Sequence, residues 1–142
     1  MERAFSDRLK EGEWSAPVAR LVGFRAVSFG GGESRFEMEA DARHHNPMGT
    51  VHGGILCDLA DAAMGFAFAS TLGAGESFTT LELKINFLRP VLSGALVAVA
   101  RVVHRGKKVG LVECDVMNAD SKTVARASST CWVLRGDEAK GR

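Results

Sequence analysis

The stretch from Ile55 to Leu72 is the most apolar part of the chain, and it constrains everything around it. Leu, Ala, Met and Phe dominate it, with few β-branched residues, so a helix is favoured over a strand. Asp58, Asp61 and Gly65 interrupt it. A charge at membrane depth is costly, so a buried helix is expected here rather than a membrane span. The helix is apolar nearly all round, and such a helix belongs inside something. Gly73 to Gly75 are expected to end it. The chain has 142 residues, about one domain's length. That length can bury ~68–70% of the unfolded surface. Apolar residues at 46% and charged residues at 25% are ordinary for a globular protein and argue against disorder.

Strand patterns flank this helix. Arg3 to Glu13 is charge-rich, with Phe5 and Leu9 four apart, and reads as a short amphipathic helix. Trp14 to Pro17 break it. Val18 to Phe29 is rich in Val, Leu and Phe and is expected to be a strand, with Gly30 to Gly32 as a turn. Ser34 to Ala40 alternates, Phe36, Met38 and Ala40 against Arg35, Glu37 and Glu39, and would complete a hairpin. After the helix, Phe78 to Leu88 places Thr79, Leu81, Leu83, Ile85 and Phe87 on one face. Leu96 to His104 is apolar on both faces, as a central strand would be. Val109 to Met117 and Thr123 to Leu134 follow, joined by short turns and therefore antiparallel. Arg135 to Arg142 reads as a frayed tail. These elements make one α+β domain over residues 1–142, with an N-terminal helical extension over 1–17. A curved antiparallel sheet is expected to wrap the single long helix.

Charge and cysteine usage narrow the function classes. Eighteen basic residues oppose 17 acidic ones, for a net charge of +1, so no electrostatic footprint for nucleic acid is visible. Cys57, Cys114 and Cys131 are odd in number and widely spaced, so neither a disulfide framework nor a CxxC metal pair appears. With no signal-peptide pattern at Met1, the expected setting is a reducing cytoplasm.

The chemistry-bearing residues cluster from Asn46 to Asp61. Gly53 and Gly54 at the start of the helix present backbone N–H groups where the helix dipole is positive. Such an end binds an anion, or an oxygen that becomes anionic during a reaction; alternatively the glycine pair simply lets the chain turn into the helix. His52 beside it and Asn46 in the preceding loop could hydrogen-bond a carbonyl or a water. His44 and His45 read as surface residues. Asp61 lies among Leu59, Ala60, Ala62, Ala63 and Met64, and a carboxylate buried there needs a partner or a task. Asp58, three residues earlier, is on roughly the same side. From His52 to Asp61 the helix rises ~13.5 Å and turns ~900°, half a turn off, so the two cannot touch one atom from a single chain. If both act on one substrate, two chains supply them, in a symmetric dimer with two equivalent sites.

The run Asn46-Pro-Met-Gly-Thr-Val-His52-Gly-Gly, followed by Leu59-Ala-Asp61, resembles hotdog-fold thioesterases of the phenylacetate-pathway (PaaI) type. Thr80-Leu-Glu-Leu-Lys-Ile-Asn-Phe-Leu-Arg-Pro90, Gly94, His104-Arg-Gly-Lys and Val124-Ala125 continue the resemblance, which spans residues 40 to 134 in order. It implies a hotdog fold, hydrolysis of acyl-CoA thioesters, and a homodimer that pairs again into a tetramer as a dimer of dimers. By the same resemblance, the Gly53 N–H polarises the thioester carbonyl, and Asn46 and His52 orient substrate or water. Asp61 of the partner chain acts as base or nucleophile. Thr80 holds the water or Asp61, with Thr79 as its neighbouring alternative.

No metal and no cofactor are expected beyond the coenzyme A thioester itself, and neither nucleic acid nor membrane is expected as a partner. Gly54 belongs to the substrate-binding helix end. Arg89, Arg105, Lys107 and Lys108, at strand ends and turns, are candidates for the coenzyme A phosphates. Met64 and Phe68 are candidates for the acyl pocket.

Two other readings start from the same residues. One is a hotdog enoyl-CoA hydratase or dehydratase, whose His and acid spacings differ from this one. The other is an acyl-CoA-binding sensor without turnover, which would gain nothing from a mid-helix carboxylate.

Overall fold

The computed structural model describes residues 4–12 and 14–142. Arg3 and Glu13, the ends of the first expected helix, lie outside those residues, and helix α1 runs over Phe5–Lys10. Its Ser6 hydroxyl donates to the Glu76 carbonyl at 2.8 Å, and Phe5 packs edge-on to Phe66, tying the segment to the body.

Val18 to Val22 departs from the expected strand. Pro17–Val22 is helix α2, and strand β1 begins only at Phe24 and runs to Gly30. Proline's fixed φ suits the first helical turn. Gly23, at φ +97, then closes the helix with its N–H on the Ala19 carbonyl. The apolar content of the segment fits either element, and the Pro–Gly bracket decides for the helix.

β1 pairs with β2 (Glu33–Ala40) as the expected hairpin, and Ser34, Phe36, Met38 and Ala40 all point inward. Strands β3 (Ser77–Phe87), β4 (Gly94–Arg105), β5 (Val109–Met117) and β6 (Thr123–Leu134) complete one antiparallel sheet. Its order is β1-β2-β4-β5-β6-β3, so β4 is interior and β3 is an open edge. A bulge between Thr80 and Glu82 interrupts the expected period of two in β3 and leaves Leu81 58% exposed.

Helix α3 spans Gly53–Ala69 and lies across the concave face of the sheet. It ends before Leu72, where the glycines were expected to stop it. The Ser70 and Thr71 hydroxyls each donate at 2.7 Å to the freed carbonyls of Ala67 and Phe68, doing the work expected of the glycines. Leu59, Ala60, Ala63, Met64, Ala67 and Phe68 are at most 1% exposed. They pack on Leu96, Ala98 and Ala100 of β4 and on Val112 and Val116 of β5. Phe68 sits so close to β5 that a Cβ on Gly110 would lie 2.1 Å from its ring. A fully buried side chain of this size contributes about 1.5–3 kcal/mol.

All six strands contact α3, as the expected wrapping requires, and of its residues only Asp58 and Asp61 are exposed. The C-terminal segment is also more ordered in contact than a frayed tail. Gly136–Ala139 forms a 3-10 turn with Ala139 buried, and Arg135 pairs with Glu76 at 2.7 Å.

Candidate active site at the start of the central helix

The loop before α3 is folded by its own polar side chains. Asn46 Oδ1 accepts the N–H groups of Met48 and Thr50, and its Nδ2 donates to the Thr50 hydroxyl at 2.9 Å. An asparagine that closes its own turn in this way fixes the loop path. The Val51 N–H then docks on the Val91 carbonyl, and the His52 N–H on the His44 carbonyl, both at 2.8 Å.

His44 is buried, against the surface position expected of it. Its Nδ1 accepts the Asp41 N–H at 3.0 Å, so Nε2 carries the proton and donates to the Val22 carbonyl at 2.7 Å. The ring therefore joins the end of α2 to the loop that carries His52. His45 is exposed.

His52 caps α3. Its Nδ1 accepts the Gly54 N–H at 2.8 Å, and its ring is otherwise exposed. Gly54 thus serves the cap. The Gly53 N–H is left without a partner among the described residues, at the positive end of a 17-residue helix. The Phe87 ring lies over Gly53, and a Cβ there would sit 2.8 Å from its Cζ. Gly53, Phe87, Asn46, Thr50 and Arg89 line a cleft of about 360 Å³. Arg89 is exposed and forms no ion pair among the described residues.

Asp61 lies about two and a half turns further along α3 and opens on a second cavity. This one holds about 530 Å³ and is lined by Asp58, Asp61, Ala62, Phe36, Phe66 and Trp14, among others. The Asp61 carboxyl is drawn above the usual carboxylate range, first by surrounding protein that displaces water and then by the neighbouring charge of Asp58. Thr80 faces Cys131 across β3 and β6, with Oγ1 3.9 Å from Sγ. Burial pushes the Cys131 thiol up, and the charge of Asp61 adds to the rise.

Four expected substrate contacts lie elsewhere. Met64 and Phe68 face the sheet and fill the core, and the helix residues that reach the cavity are Ala62 and Phe66. Arg105 is committed near the far end of α3. It pairs with Glu76 at 3.3 Å, donates to Thr71 Oγ1 at 3.0 Å, and stacks 5.3 Å over the Phe68 ring. Lys107 is in the adjacent turn, where its carbonyl accepts from Arg135. Helix length puts that end ~24 Å from Gly53.

Phe87 and Cys131 are the neighbours that sequence reading did not single out. Phe87 does fall in the stretch Thr80 to Pro90 that carries the family resemblance. Nothing in the pattern marked Cys131. Among the described residues no group of three or more His, Cys, Asp or Glu side chains could hold a metal ion, and no helix is long and apolar enough to cross a membrane.

Comparison with known proteins places this arrangement. The model of the thioesterase superfamily matches residues 48–125, more than half of the chain. The acyl-coenzyme A thioesterase PaaI of Escherichia coli is 37% identical over 108 residues, 75% of this chain and 75% of that protein. Its solved structure superimposes with a TM-score of 0.81 at 28% identity, covering 92% of this chain and 93% of that one. Against a Saccharolobus solfataricus relative, 37% identical over 87 residues, the chain spans 61% of that protein's length. The chain belongs to the thioesterase superfamily. Within it, the helix-on-curved-sheet architecture is the hotdog fold, and the chain is a PaaI-type thioester hydrolase.

Proposed function

We propose that the protein hydrolyses acyl-CoA thioesters to the free acid and coenzyme A, at two equivalent sites shared across a two-fold homodimer. One observation carries the reading. The Gly53 N–H has no partner among the described residues at the positive end of α3, while the mid-helix carboxylates Asp58 and Asp61 open on a different cavity. The open edge of β3 supports the dimer. An unpaired edge is a template for a second strand, and Leu81, Phe87 and Leu88 are exposed along it. Exposed Val99, Val103 and Leu111 on the outer face of β4 and β5 offer a surface for a further pairing into a tetramer.

In this scheme the thioester carbonyl oxygen accepts the Gly53 N–H. Asp61 of the partner subunit takes a proton from a water that attacks the carbonyl carbon. The C–S bond then breaks and coenzyme A leaves as its thiolate. Sulfur donates poorly to the carbonyl, so one well-placed N–H and one carboxylate carry the activation. Losing an oxyanion donor of this kind costs ~10²–10³ in rate, and a positioned base contributes ~10²–10⁴. Asn46 and Thr50 hold the loop that aims Gly53. His52 caps the helix and turns its free ring edge to the cleft. Thr80 orients the water or Asp61. Arg89, which lines the cleft and forms no ion pair among the described residues, takes a coenzyme A phosphate.

Thiol release from a panel of acyl-CoA substrates tests this reading. The wild type should release thiol, and Asp61→Asn should fall at least ~10²-fold. Equal rates would remove Asp61 from the mechanism. Mixing Asp61→Ala chains with Gly53→Pro chains tests the shared site, because hybrid dimers would contain one intact pair and recover part of the activity.

A further inference from the structure

Two buried polar side chains stand behind Thr80, and the hydrolysis scheme uses neither. Cys131 is fully buried and Ser129 is 1% exposed, both on the inward face of β6 with Ala127 and Val133. Ser129 Oγ is 4.0 Å from Cys131 Sγ, and the sulfur is 3.9 Å from Thr80 Oγ1. The three form one row that ends on β3. The Phe78 ring, on the same face of β3 as Thr80, meets the Phe68 ring edge to face at 5.3 Å, and a Cβ on Gly65 would lie 3.5 Å from it. Gly65 and Phe68 follow Asp61 by four and seven residues, so all three share one stripe of α3. At the other end of β3 the Phe87 ring covers Gly53, so strand and helix run in opposite directions. Thr80 is ~6.6 Å along the strand from Phe78. That step leads about one helical turn back from Gly65, to the level of Asp61. A bulge follows Thr80 directly, and bulges re-aim the side chains beside them.

The row has a direction. Burial keeps the Cys131 thiol protonated, so the sulfur has one hydrogen to give as well as lone pairs to offer. The Ser129 hydroxyl makes no other hydrogen bond among the described residues. A buried O–H left without an acceptor costs more than a made bond gains. The Ser129 O–H therefore donates to the sulfur, and the S–H turns to Thr80 Oγ1. Thr80 then accepts from behind and has its own O–H left to give outward. In the reverse order the Ser129 O–H would have no acceptor.

We infer that Cys131 is a positioning residue for the hydrolysis: backed by Ser129, it fixes the Thr80 hydroxyl so that its O–H donates to the Asp61 carboxylate of the same subunit. The inference rests on the proposed reaction, in which Asp61 is the base. A carboxylate held by Thr80 through one oxygen keeps the other aimed at the attacking water. Without the sulfur, the Thr80 hydrogen is free to rotate away, and the carboxyl loses that restraint. Cys131 touches no reacting atom and acts only through Thr80.

The test has two arms. The first measures kcat and KM on the acyl-CoA that the wild type hydrolyses fastest. Cys131→Val fills the space of the thiol, and Cys131→Ala leaves it empty. Both should lower kcat about 3–10-fold, the range of one hydrogen bond, with KM within about twofold of wild type. In chains that already carry Thr80→Val, Cys131→Val should cost no further activity, whereas a packing defect would cost the same in either background. A loss confined to Cys131→Ala, or an equal loss with and without the Thr80 hydroxyl, would overturn the inference. The second arm needs no substrate. It follows the infrared S–H stretching band of Cys131, identified by its absence in Cys131→Val. Thr80→Val removes the acceptor and should raise the frequency of that band. An unmoved band would overturn the inference even in an active enzyme. A wild type that releases no thiol, but whose band moves, would retire the hydrolysis and leave Thr80 aimed by Cys131.

Discussion

His52 Nδ1 holds the Gly54 N–H at 2.8 Å, and this one bond determines which donor at the head of α3 stays available. A histidine cap occupies the second N–H of the helix and leaves the first, at Gly53, facing the cleft. The cap and any role toward substrate are separable by substitution. His52→Asn keeps a capping acceptor, whereas His52→Ala removes it. His52→Ala should lower stability by about 0.5–2 kcal/mol in urea unfolding. His52→Asn should stay near wild type in stability. A shared fall in kcat for both variants would place the imidazole itself on the reaction path, and a fall in His52→Ala alone would restrict it to the cap.

Gly53 and Gly110 look alike in sequence and should respond differently to the same change. At Gly53 an added Cβ meets the Phe87 ring at 2.8 Å, and that ring is on an exposed strand end and can swing. Gly53→Ala should therefore leave thermal stability close to wild type while lowering kcat/KM, because the methyl stands where substrate approaches the N–H. At Gly110 the added Cβ would lie 2.1 Å from a Phe68 ring that is fully buried. Gly110→Ala should cost about 1–3 kcal/mol by overpacking. Denaturant midpoints and initial rates on the two variants separate these effects.

The pH dependence follows from the two carboxylates of α3. As a base, Asp61 must be ionised, and both burial and Asp58 raise its folded value. The acid limb of kcat/KM should therefore fall at higher pH than an ordinary aspartate would give. Asp58→Asn removes the like charge and should move that limb to lower pH. The stability sign is the reverse of an ion-paired acid. Both folded-state carboxyls hold their protons more tightly than the unfolded chain does. They therefore favour folding as pH falls through their folded values and oppose it above them. Urea midpoints for wild type and the Asp58→Asn, Asp61→Asn double variant should converge as pH is lowered into that window.

Local pattern carried most of the scaffold. The expected spans Val109 to Met117 and Thr123 to Leu134 are the observed β5 and β6, because period-two alternation and tight turns leave little freedom. Val18 to Val22 was not legible as a helix, since its apolar residues suit both periods and only Pro17 and Gly23 distinguish them. The bulge at Leu81 and the buried ring of His44 depend on partners distant in sequence, Cys131 and Thr130 for one and Val22 for the other. Arg105 misled for the same reason. A basic residue at a turn reads as solvated until the fold brings Glu76 and Phe68 to it. Asp61 was legible as unusual, but its exposure was not, because composition describes the helix and not which side the sheet covers.

Reactivity of the three thiols should follow burial. Cys114 is 2% exposed and its thiol is pushed up to about 12 by burial, with Asp115 adding to the rise. Cys131 is fully buried and also raised. Cys57 is half-buried on α3, and although burial, Asp58 and Asp61 raise it, it alone has access to reagent. Under native conditions a neutral disulfide reagent should label Cys57 first, and Cys114 and Cys131 only on unfolding. Labelling of Cys114 at the rate of Cys57 would contradict the packing of β5 against α3.

Arg89 and Arg105 should separate cleanly in their contribution to phosphate binding. Arg89 forms no ion pair among the described residues and lines the Gly53 cleft, whereas Arg105 is held by Glu76, Thr71 and Phe68 toward the other end of α3. Arg89→Ala should raise KM for acyl-CoA, and the increase should shrink as salt screens the wild-type contact. The same variant should show little change with a pantetheine thioester, which lacks the nucleotide phosphates. Arg105→Ala should instead lower the unfolding midpoint, because it strips a half-buried stem and its stacking from the core edge. Its KM should stay near wild type. A KM effect confined to Arg105→Ala, with none at Arg89, would move the coenzyme A site to the far end of the helix and undo the assignment of the cleft.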